Sequence, residues 1–209
     1  MSERAPLYRN VWLWAFFLGI LTLTAIRPLL RHVPEPPPVL GQVPDFSLVD
    51  QDGRPFGSAE LRGRVYIASF FFTRCPSICP MLMQSVKRLQ DGYREKGIDG
   101  IRLVSVSVDP EHDTPERLGA YGEDLGADPA RWALLTGELE AIRALASDGF
   151  KVPVGSPEAG PGGLVDIAHT GKLVLVDPEG GIRGYYDTDR MGLDEVFHRA
   201  QHVLREKRR

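Results

Sequence analysis

A run of apolar residues in the middle of the chain constrains the fold more than any other feature. The segment RVYIASFFFT, residues 64–73, is nearly continuous in aliphatic, aromatic and other β-prone side chains. A strand of this composition has no polar face for water, so it is typical of a central strand that other elements cover on both sides. The run therefore predicts an α/β domain built around a largely parallel sheet.

From Asp45 onward, short β-prone runs alternate with segments of helical periodicity. The segment DFSLVDQDGRPF, residues 45–56, predicts an N-terminal hairpin that turns at Asp52 and Gly53. A second hairpin is predicted over residues 169–187, HTGKLVLVDPEGGIRGYYD, before a closing helix. The order β-β-α-β-α-β-α-β-β-α predicts a thioredoxin-like sheet with an additional N-terminal β-hairpin. Sheets of this class carry functional groups at the carboxyl ends of their strands.

Two helix starts are marked in the sequence. Asp113 is a candidate N-cap, with Glu116 three residues later to complete a capping box. Pro80 is suited to the first helical position, where its missing N–H costs nothing. That position places Cys79 near the N-cap of the helix and Cys75 in the preceding turn.

Cys75 and Cys79 are the only cysteines of the chain and lie four residues apart. A structural disulfide between them would close a very short loop and remove little conformational entropy from the unfolded chain. The positive end of the helix dipole would favour thiolates, which attack disulfides and bind soft metal ions. The spacing therefore favours a redox pair or two ligands of a metal site.

A third ligand for such a site would come from the five histidines. His169 opens the second hairpin, where a thioredoxin-like fold brings a loop across the start of the cysteine-bearing helix. His198 and His202 lie four apart on the closing helix and could share a metal, although an exposed helix face explains them equally well. His32 lies in a proline-rich stretch, and His112 lies in a polar loop that we expect to be solvated. Two thiolates and one imidazole suit Cu(I), whereas zinc would need a fourth ligand.

The N-terminal segment VWLWAFFLGILTLTAI, residues 11–26, contains no charge. As a helix that rises about 1.5 Å per residue, it nearly crosses a hydrocarbon core of about 30 Å. Trp12 and Trp14 lie where an interfacial aromatic belt is expected. A cleaved signal peptide is the alternative, but neither an Ala-x-Ala site nor a lipobox cysteine follows. We expect one transmembrane anchor over residues 11–30, after a cytoplasmic N-terminus at 1–10.

The segment RHVPEPPPVLGQVP, residues 31–44, predicts a semi-rigid proline-rich linker before the domain at 45–206. We expect a single-pass protein of the inner membrane whose domain lies on the periplasmic side. The 25 basic and 28 acidic residues nearly balance, so no overall field favours a nucleic acid partner.

Four motifs occur in order along the domain: FTRCPSICP, VSVDPEHDTPERLGAYG, LLTG and AHTGKLVLVDPEGGIRGYYD. Together they resemble the Sco/SenC family, copper chaperones and thiol proteins that assist cytochrome c oxidase assembly. The resemblance covers about Val43 to Arg205 and includes the anchor. It implies a thioredoxin-like fold in which Cys75, Cys79 and His169 hold copper, as Cu(I) and also as Cu(II).

The resemblance also implies a partner. The protein would deliver copper to the dinuclear copper A centre of cytochrome c oxidase subunit II, although a related branch of the family serves copper B. A periplasmic copper donor and a thiol reductase would be further partners. Such a metallochaperone is not an enzyme; as an alternative, Cys75 and Cys79 would be catalytic in a thiol-disulfide oxidoreductase that reduces the cysteines of subunit II. A peroxidase is disfavoured because SFFFTRC has Thr73 but no proline before the first cysteine.

The chain departs from the family pattern at two places. Family members commonly carry an acidic residue directly before the histidine, whereas this chain has Ala168 there and Asp166 two positions earlier. A carboxylate beside a histidine ligand orients the ring and raises its basicity, so copper affinity would differ. After the second cysteine, Met81 and Met83 replace acidic or polar residues, and either could offer a thioether to copper, although packing explains them more simply.

Overall fold

The computed structural model describes residues 11–26, 37–76, 78–152, 157–159, 165–167 and 171–206. The chain divides into two compact units, Met1–Glu35 and Pro36–Arg209. The predicted cytoplasmic N-terminus lies outside the described residues.

The first unit contains helix α1 (Val11–Ile26), none of whose side chains is buried. The hydroxyls of Thr22 and Thr24 donate to carbonyl oxygens of the preceding turn, which keeps these polar groups satisfied along an apolar helix. In the part of the chain that the structure describes, no helix is both long and apolar enough to cross a membrane. Residues 27–30 of the predicted anchor are not among those described.

The second unit is an α/β domain. Its strands are β1 (Gly41–Gln42), β2 (Ser47–Asp50), β3 (Pro55–Gly57), β4 (Val65–Phe71), β5 (Ile101–Ser107), β6 (Trp132–Thr136), β7 (Pro157–Ala159), β8 (Val165–Ile167), β9 (Leu173–Val176) and β10 (Gly181–Tyr186). Its helices are α2 (Ser58–Leu61), α3 (Ile78–Glu95), α4 (Pro115–Leu125), α5 (Leu139–Ala144), which continues into a π-helical turn at Leu145–Gly149, and α6 (Arg190–Glu206).

The main sheet has the strand order β1-β10-β9-β4-β5-β6-β2-β3, and β7 pairs with β8 in a separate two-stranded sheet. Strands β4, β5 and β6 run parallel, and every residue of β4 is buried, as the apolar run predicted. Strand β9 runs antiparallel to β4, with Tyr66 opposite Val176 and Ala68 opposite Val174. This register places the start of β9 at the carboxyl end of β4.

The N-terminal hairpin forms as predicted, from β2 and β3. The carboxylate of Asp50 accepts hydrogen bonds from the backbone N–H groups of Asp52 and Arg54. Gly53 has a φ of 75°, a left-handed conformation that favours glycine in the turn. Strand β2 also pairs with β6 and so extends the sheet on that side.

The predicted boundary between linker and domain is wrong in one respect. Gly41 and Gln42, which we placed in the linker, form β1 and pair with Ile182 and Gly181 of β10. Val43 is also buried. A two-residue edge strand carries no hydrophobic alternation, so its partner cannot be recognised from local sequence. The short elements β7, β8 and α2 were likewise not predicted.

Helices α3 and α6 pack side by side across β4 and β5. The rings of Tyr93 and Phe197 stack between them, with centroids 4.6 Å apart. The apolar stripe of α3 is buried through Leu82, Val86, Leu89 and Tyr93. The sheet and this helix layer therefore fix the first turn of α3, which carries Cys79, at the carboxyl edge of β4.

Candidate metal centre

The cysteine-bearing segment begins with a tight turn directly after β4. The backbone N–H of Cys75 donates to the carbonyl oxygen of Phe72 at 3.3 Å, which closes a four-residue turn. Thr73 and Arg74 are the two central residues of this turn. Cys75 is therefore held at the exit of the turn, just beyond the carboxyl end of a buried strand.

Helix α3 begins at Ile78, so Cys79 lies in its first turn and Pro80 is its third residue. The prediction that Pro80 occupies the first helical position is therefore wrong by two residues. The first four N–H groups of a helix have no partner within the helix, so proline is accommodated throughout that turn. Proline marks the beginning of a helix to within one turn, and the predicted placement of Cys79 at the helix start holds.

Both cysteines are buried thiols, with Cys75 5% and Cys79 1% exposed, and they are not joined in a disulfide. Burial raises the pKa of the Cys79 thiol far above its usual value. A backbone hydrogen bond with Phe72 lowers this pKa in part, and a side-chain hydrogen bond with Cys75 raises it again. For Cys79 our expectation of a thiolate is wrong, because the cost of desolvating an anion outweighs the partial charge at the helix end.

The carboxylate of Asp113 lies beneath this turn and is fully buried. It accepts hydrogen bonds from the backbone N–H of Thr73 at 3.0 Å, from Thr73 Oγ1 at 2.5 Å and from Ser107 Oγ at 2.5 Å. Ser107 ends β5, so the carboxylate ties the segment after β4 to the end of the neighbouring strand.

The predicted N-cap role of Asp113 is wrong. Thr114 is the N-cap of α4, and its hydroxyl accepts a hydrogen bond from the backbone N–H of Arg117 at 3.4 Å. The predicted capping box with Glu116 is therefore also wrong, since Glu116 is the second residue of the helix and not the third. The sequence did contain the correct signal, because Pro115 favours the first helical position and so marks the residue before it as the N-cap.

Arg74, the other central residue of the turn, forms an ion pair with the same loop. Its guanidinium donates two hydrogen bonds to the carboxylate of Asp109, at 2.6 Å from Nε and 3.2 Å from Nη2. The Asp109 side chain is 6% exposed and that of Arg74 is 32% exposed. Two-point binding of this kind fixes the orientation of both side chains.

Tyr121 of α4 borders the site from the other side. Its ring stacks on that of Phe71 with centroids 5.7 Å apart. Burial raises the pKa of its phenol to about 12, and charges at Cys79, Asp113 and Cys75 contribute in that order. Tyr121 therefore lies near both cysteines and Asp113.

The start of β9 contacts the first turn of α3. A Cβ atom built on Gly171 would lie 2.8 Å from Ile78 Cδ1, so the Ile78 side chain packs closely over the Gly171 backbone. His169 and Ala168 lie outside the described residues, and Asp166 belongs to β8. Within the described ranges, no group of three or more His, Cys, Asp and Glu side chains could hold a metal ion. The third ligand therefore stays a prediction.

The remaining histidines that the structure describes differ in their exposure to solvent. His112 is exposed, as predicted for a solvated loop residue. His198 is exposed on α6, with its Nε2 3.6 Å from Asp194, and His202 is half-buried on the same helix. His32 is not among the described residues.

The two methionines after Cys79 differ in environment. Met83 is fully buried and belongs to the core, whereas the Met81 side chain is 63% exposed in the first turn of α3. Packing therefore accounts for Met83 but not for Met81.

Comparisons with known proteins agree with this architecture. The SCO1/SenC family model matches residues 38–205. A protein of Stutzerimonas stutzeri named for copper binding is 35% identical over 143 residues, which are 68% of each chain. Among solved structures, BsSco is 28% identical at a TM-score of 0.71, over 81% of this chain and 98% of that one. BsSco is described as a member of the Sco family of cytochrome c oxidase assembly proteins, with a disulfide switch. Copper-bound ScoI of Arabidopsis thaliana is 27% identical at a TM-score of 0.64, over 77% of this chain and 99% of that one. The chain therefore belongs to the SCO1/SenC family.

Proposed function

We propose that this protein is a metallochaperone that binds copper through Cys75, Cys79 and His169 and passes it to the copper A centre of cytochrome c oxidase subunit II. The observation that carries the proposal is the pair of buried thiols at the carboxyl end of β4, in the first turn of α3 and just before it. The copper-binding name and the copper-bound structure among the relatives support the choice of metal.

Two features of β9 support the participation of His169. The register of β9 on β4 directs the chain before Leu173 toward the cysteine segment. Gly171 contacts Ile78, the residue next to Cys79. His169 is two residues from Gly171, and two residues reach at most about 7 Å. The imidazole would thus be brought to the sulfurs by a short, anchored stretch of chain.

The donor set suits copper as a cargo. Thiolate sulfur is a soft ligand that selects Cu(I) over hard ions, and imidazole nitrogen is compatible with it. Binding requires the Cys79 proton to leave, since a thiolate and not a thiol is the ligand. A site with three protein ligands leaves room for an incoming ligand of the client. The client can therefore bind copper before the last bond between copper and the chaperone breaks.

The contact between the two sulfurs favours a second candidate function. Cys75 and Cys79 form a side-chain hydrogen bond, so the sulfurs are close enough for one to resolve a bond made by the other. In a thiol-disulfide reductase, one thiolate attacks a client disulfide and forms a mixed disulfide, and one client sulfur leaves as a thiol after protonation. The second thiolate then releases the other client thiol and leaves a Cys75–Cys79 disulfide, which an external dithiol reductase must reduce.

We further propose that residues 11–30 anchor the domain to the inner membrane, on the periplasmic side. The uncharged, apolar sequence of α1 supports the anchoring role. An anchored chaperone would share a membrane surface with its client, and this limits the search to two dimensions.

The decisive experiment is a titration of the reduced full-length protein with Cu(I) against a competing chelator. We expect one tight site in the wild type, and loss of that site in Cys75→Ser, Cys79→Ser and His169→Ala. His198→Ala and His202→Ala serve as matched controls and should bind as the wild type does. Unchanged affinity of His169→Ala would contradict the three-ligand site. To separate the two functions, protein loaded with Cu(I) is mixed with a copper A domain whose cysteines are reduced, and copper-free reduced protein is mixed with a copper A domain whose cysteines are oxidised. Copper that remains with the client after separation then reports delivery, and new client thiols report reduction.

A further inference from the structure

We propose that Asp113 is a positioning residue that holds both copper-binding cysteines in place, a role that rests on the proposed copper site. The Asp113 carboxylate accepts hydrogen bonds from Thr73 and Ser107 and from neither sulfur. It acts instead through the turn Phe72–Cys75, which contacts both of them.

The turn contacts both sulfurs through its two ends. Cys75 is its last residue, and the backbone of Phe72, its first residue, hydrogen-bonds to Cys79. A shift of the turn would therefore change the position of one sulfur and remove a hydrogen bond from the other. Two ligands of one ion need a fixed separation, and a site that already has it does not spend binding energy on ordering.

Asp113 holds one central residue of this turn from below. Its carboxylate accepts from both the backbone N–H and the hydroxyl of Thr73, and Ser107 Oγ at the end of β5 donates a third hydrogen bond. The backbone N–H of Asp113 donates to the carbonyl oxygen of Asp109 at 2.9 Å, so a hydrogen bond also closes the loop that carries the carboxylate. Hydrogen bonds to a buried carboxylate are strong, because the charge has no water to replace them.

Neighbouring contacts hold the rest of the turn in the same way. Arg74, the second central residue, is fixed by Asp109, and Arg117 Nε donates to Thr73 Oγ1 at 3.0 Å. The negative charge of Asp113 would by itself oppose thiolate formation nearby. Its benefit to copper binding must therefore come through position.

The test compares Asp113→Ala with Asp177→Ala. Asp177 is 5% exposed and also accepts several hydrogen bonds, from the backbone N–H groups of Glu179 and Gly181 and from Arg183. It follows Val176, which pairs with Tyr66 near the start of β4, and so lies at the opposite end of the sheet from the cysteines. Both variants lose a buried, hydrogen-bonded carboxylate, but only one loses the contact with the turn.

We expect Asp113→Ala to weaken Cu(I) affinity about tenfold, the scale found for groups that support metal ligands. Asp113→Asn keeps an oxygen for the Thr73 N–H but no charge, and we expect it to retain most of the affinity. Asp177→Ala should keep wild-type affinity even where its midpoint of urea unfolding is lowered. Wild-type affinity in Asp113→Ala, or an equal loss in Asp177→Ala, would overturn the proposal.

A second measurement does not depend on copper. In reduced, copper-free protein, we expect iodoacetamide to alkylate Cys75 and Cys79 about tenfold faster in Asp113→Ala than in Asp177→Ala, since the turn opens locally. If Asp113→Ala does not fold, Thr73→Val removes the hydroxyl contacts with Asp113 and Arg117 and should accelerate alkylation and weaken Cu(I) binding in the same direction. If Asp113→Ala, or Thr73→Val where it takes its place, is alkylated no faster than Asp177→Ala, the positioning role is refuted. If the wild type does not bind copper through the three proposed ligands, the proposed function fails, while the alkylation rates still decide the role of Asp113.

Discussion

Ile78 packs directly over the backbone of Gly171, where a Cβ atom would come within 2.8 Å of Ile78 Cδ1. This contact joins the first turn of α3, which carries Cys79, to the chain that leads from His169 into β9. The spacing between the helix start and the histidine-bearing segment therefore depends on the absence of a side chain at one position.

Gly171→Ala is expected to push these two segments apart and to weaken Cu(I) binding. An approach under 3.0 Å cannot persist, so either the end of the Ile78 side chain rotates away or the backbone of the segment moves. Ile78→Val removes Cδ1, and the double variant should recover affinity that Gly171→Ala loses. Competition with a Cu(I) chelator measures the affinities of the wild type, the two single variants and the double variant. Gly119→Ala is the control, because the nearest atom to its Cβ is at an ordinary 3.5 Å. Additive effects of the two substitutions would argue that the contact does not set the geometry of the site.

The stability of the reduced, copper-free protein should fall as the pH rises above about 9. The pKa of Cys79 is raised from 9.0 by burial, so the folded state binds this proton more tightly than the unfolded state does. The corresponding stabilisation is fully present below the unfolded pKa and is lost as the pH climbs toward the folded pKa. Urea unfolding between pH 8 and 10 would show this as a decline in the free energy of unfolding. Cys79→Ala should be less stable throughout but have a flatter profile, and equal slopes in the two proteins would contradict the raised pKa.

The sequence alone predicted those parts of the fold that follow from a local pattern of residues. The apolar run before Cys75 predicted a strand buried on both faces, and the Asp52–Gly53 turn predicted the first hairpin. Both rest on local chemistry, namely a strand without a polar face and a glycine with positive φ. The two cysteines at the carboxyl end of that strand were predicted for the same reason.

The errors occurred where a distant partner decides the outcome. Gly41 and Gln42 have no strand-like pattern and become a strand only because β10 offers an unpaired edge. Asp113 carries a good capping side chain, but Thr73 and Ser107 bind it more completely than a helix end would. The pKa of Cys79 was misjudged because helix position is visible in a sequence and the depth of burial is not. To avoid each of these errors, one would need to know which segments meet in space.

Ser105→Ala should destabilise the domain by about 1–3 kcal/mol, the cost of leaving a buried polar group without a partner. Ser105 is fully buried in β5, where its hydroxyl accepts from Trp132 Nε1 at 3.0 Å and lies 2.8 Å from Ser69 Oγ. Ser69→Ala leaves the Trp132 bond intact and should cost less. Urea unfolding of the three proteins measures the difference. A larger loss in Ser69→Ala than in Ser105→Ala would show that the indole N–H does not depend on Ser105.

Cu(I) affinity should rise steeply with pH, because the metal must displace the Cys79 proton. Burial keeps this thiol protonated at neutral pH, so each unit of pH should strengthen apparent binding by about tenfold for every proton released. Chelator competition at pH 7, 8 and 9 measures the slope. Cys79→Ser should lose the tight site, and any weak binding that it retains should have a slope that is smaller by one proton. If the wild-type affinity does not change over this range, either Cys79 is not a ligand or it is already a thiolate in the copper-free protein, and measuring its rate of alkylation against pH would decide between the two.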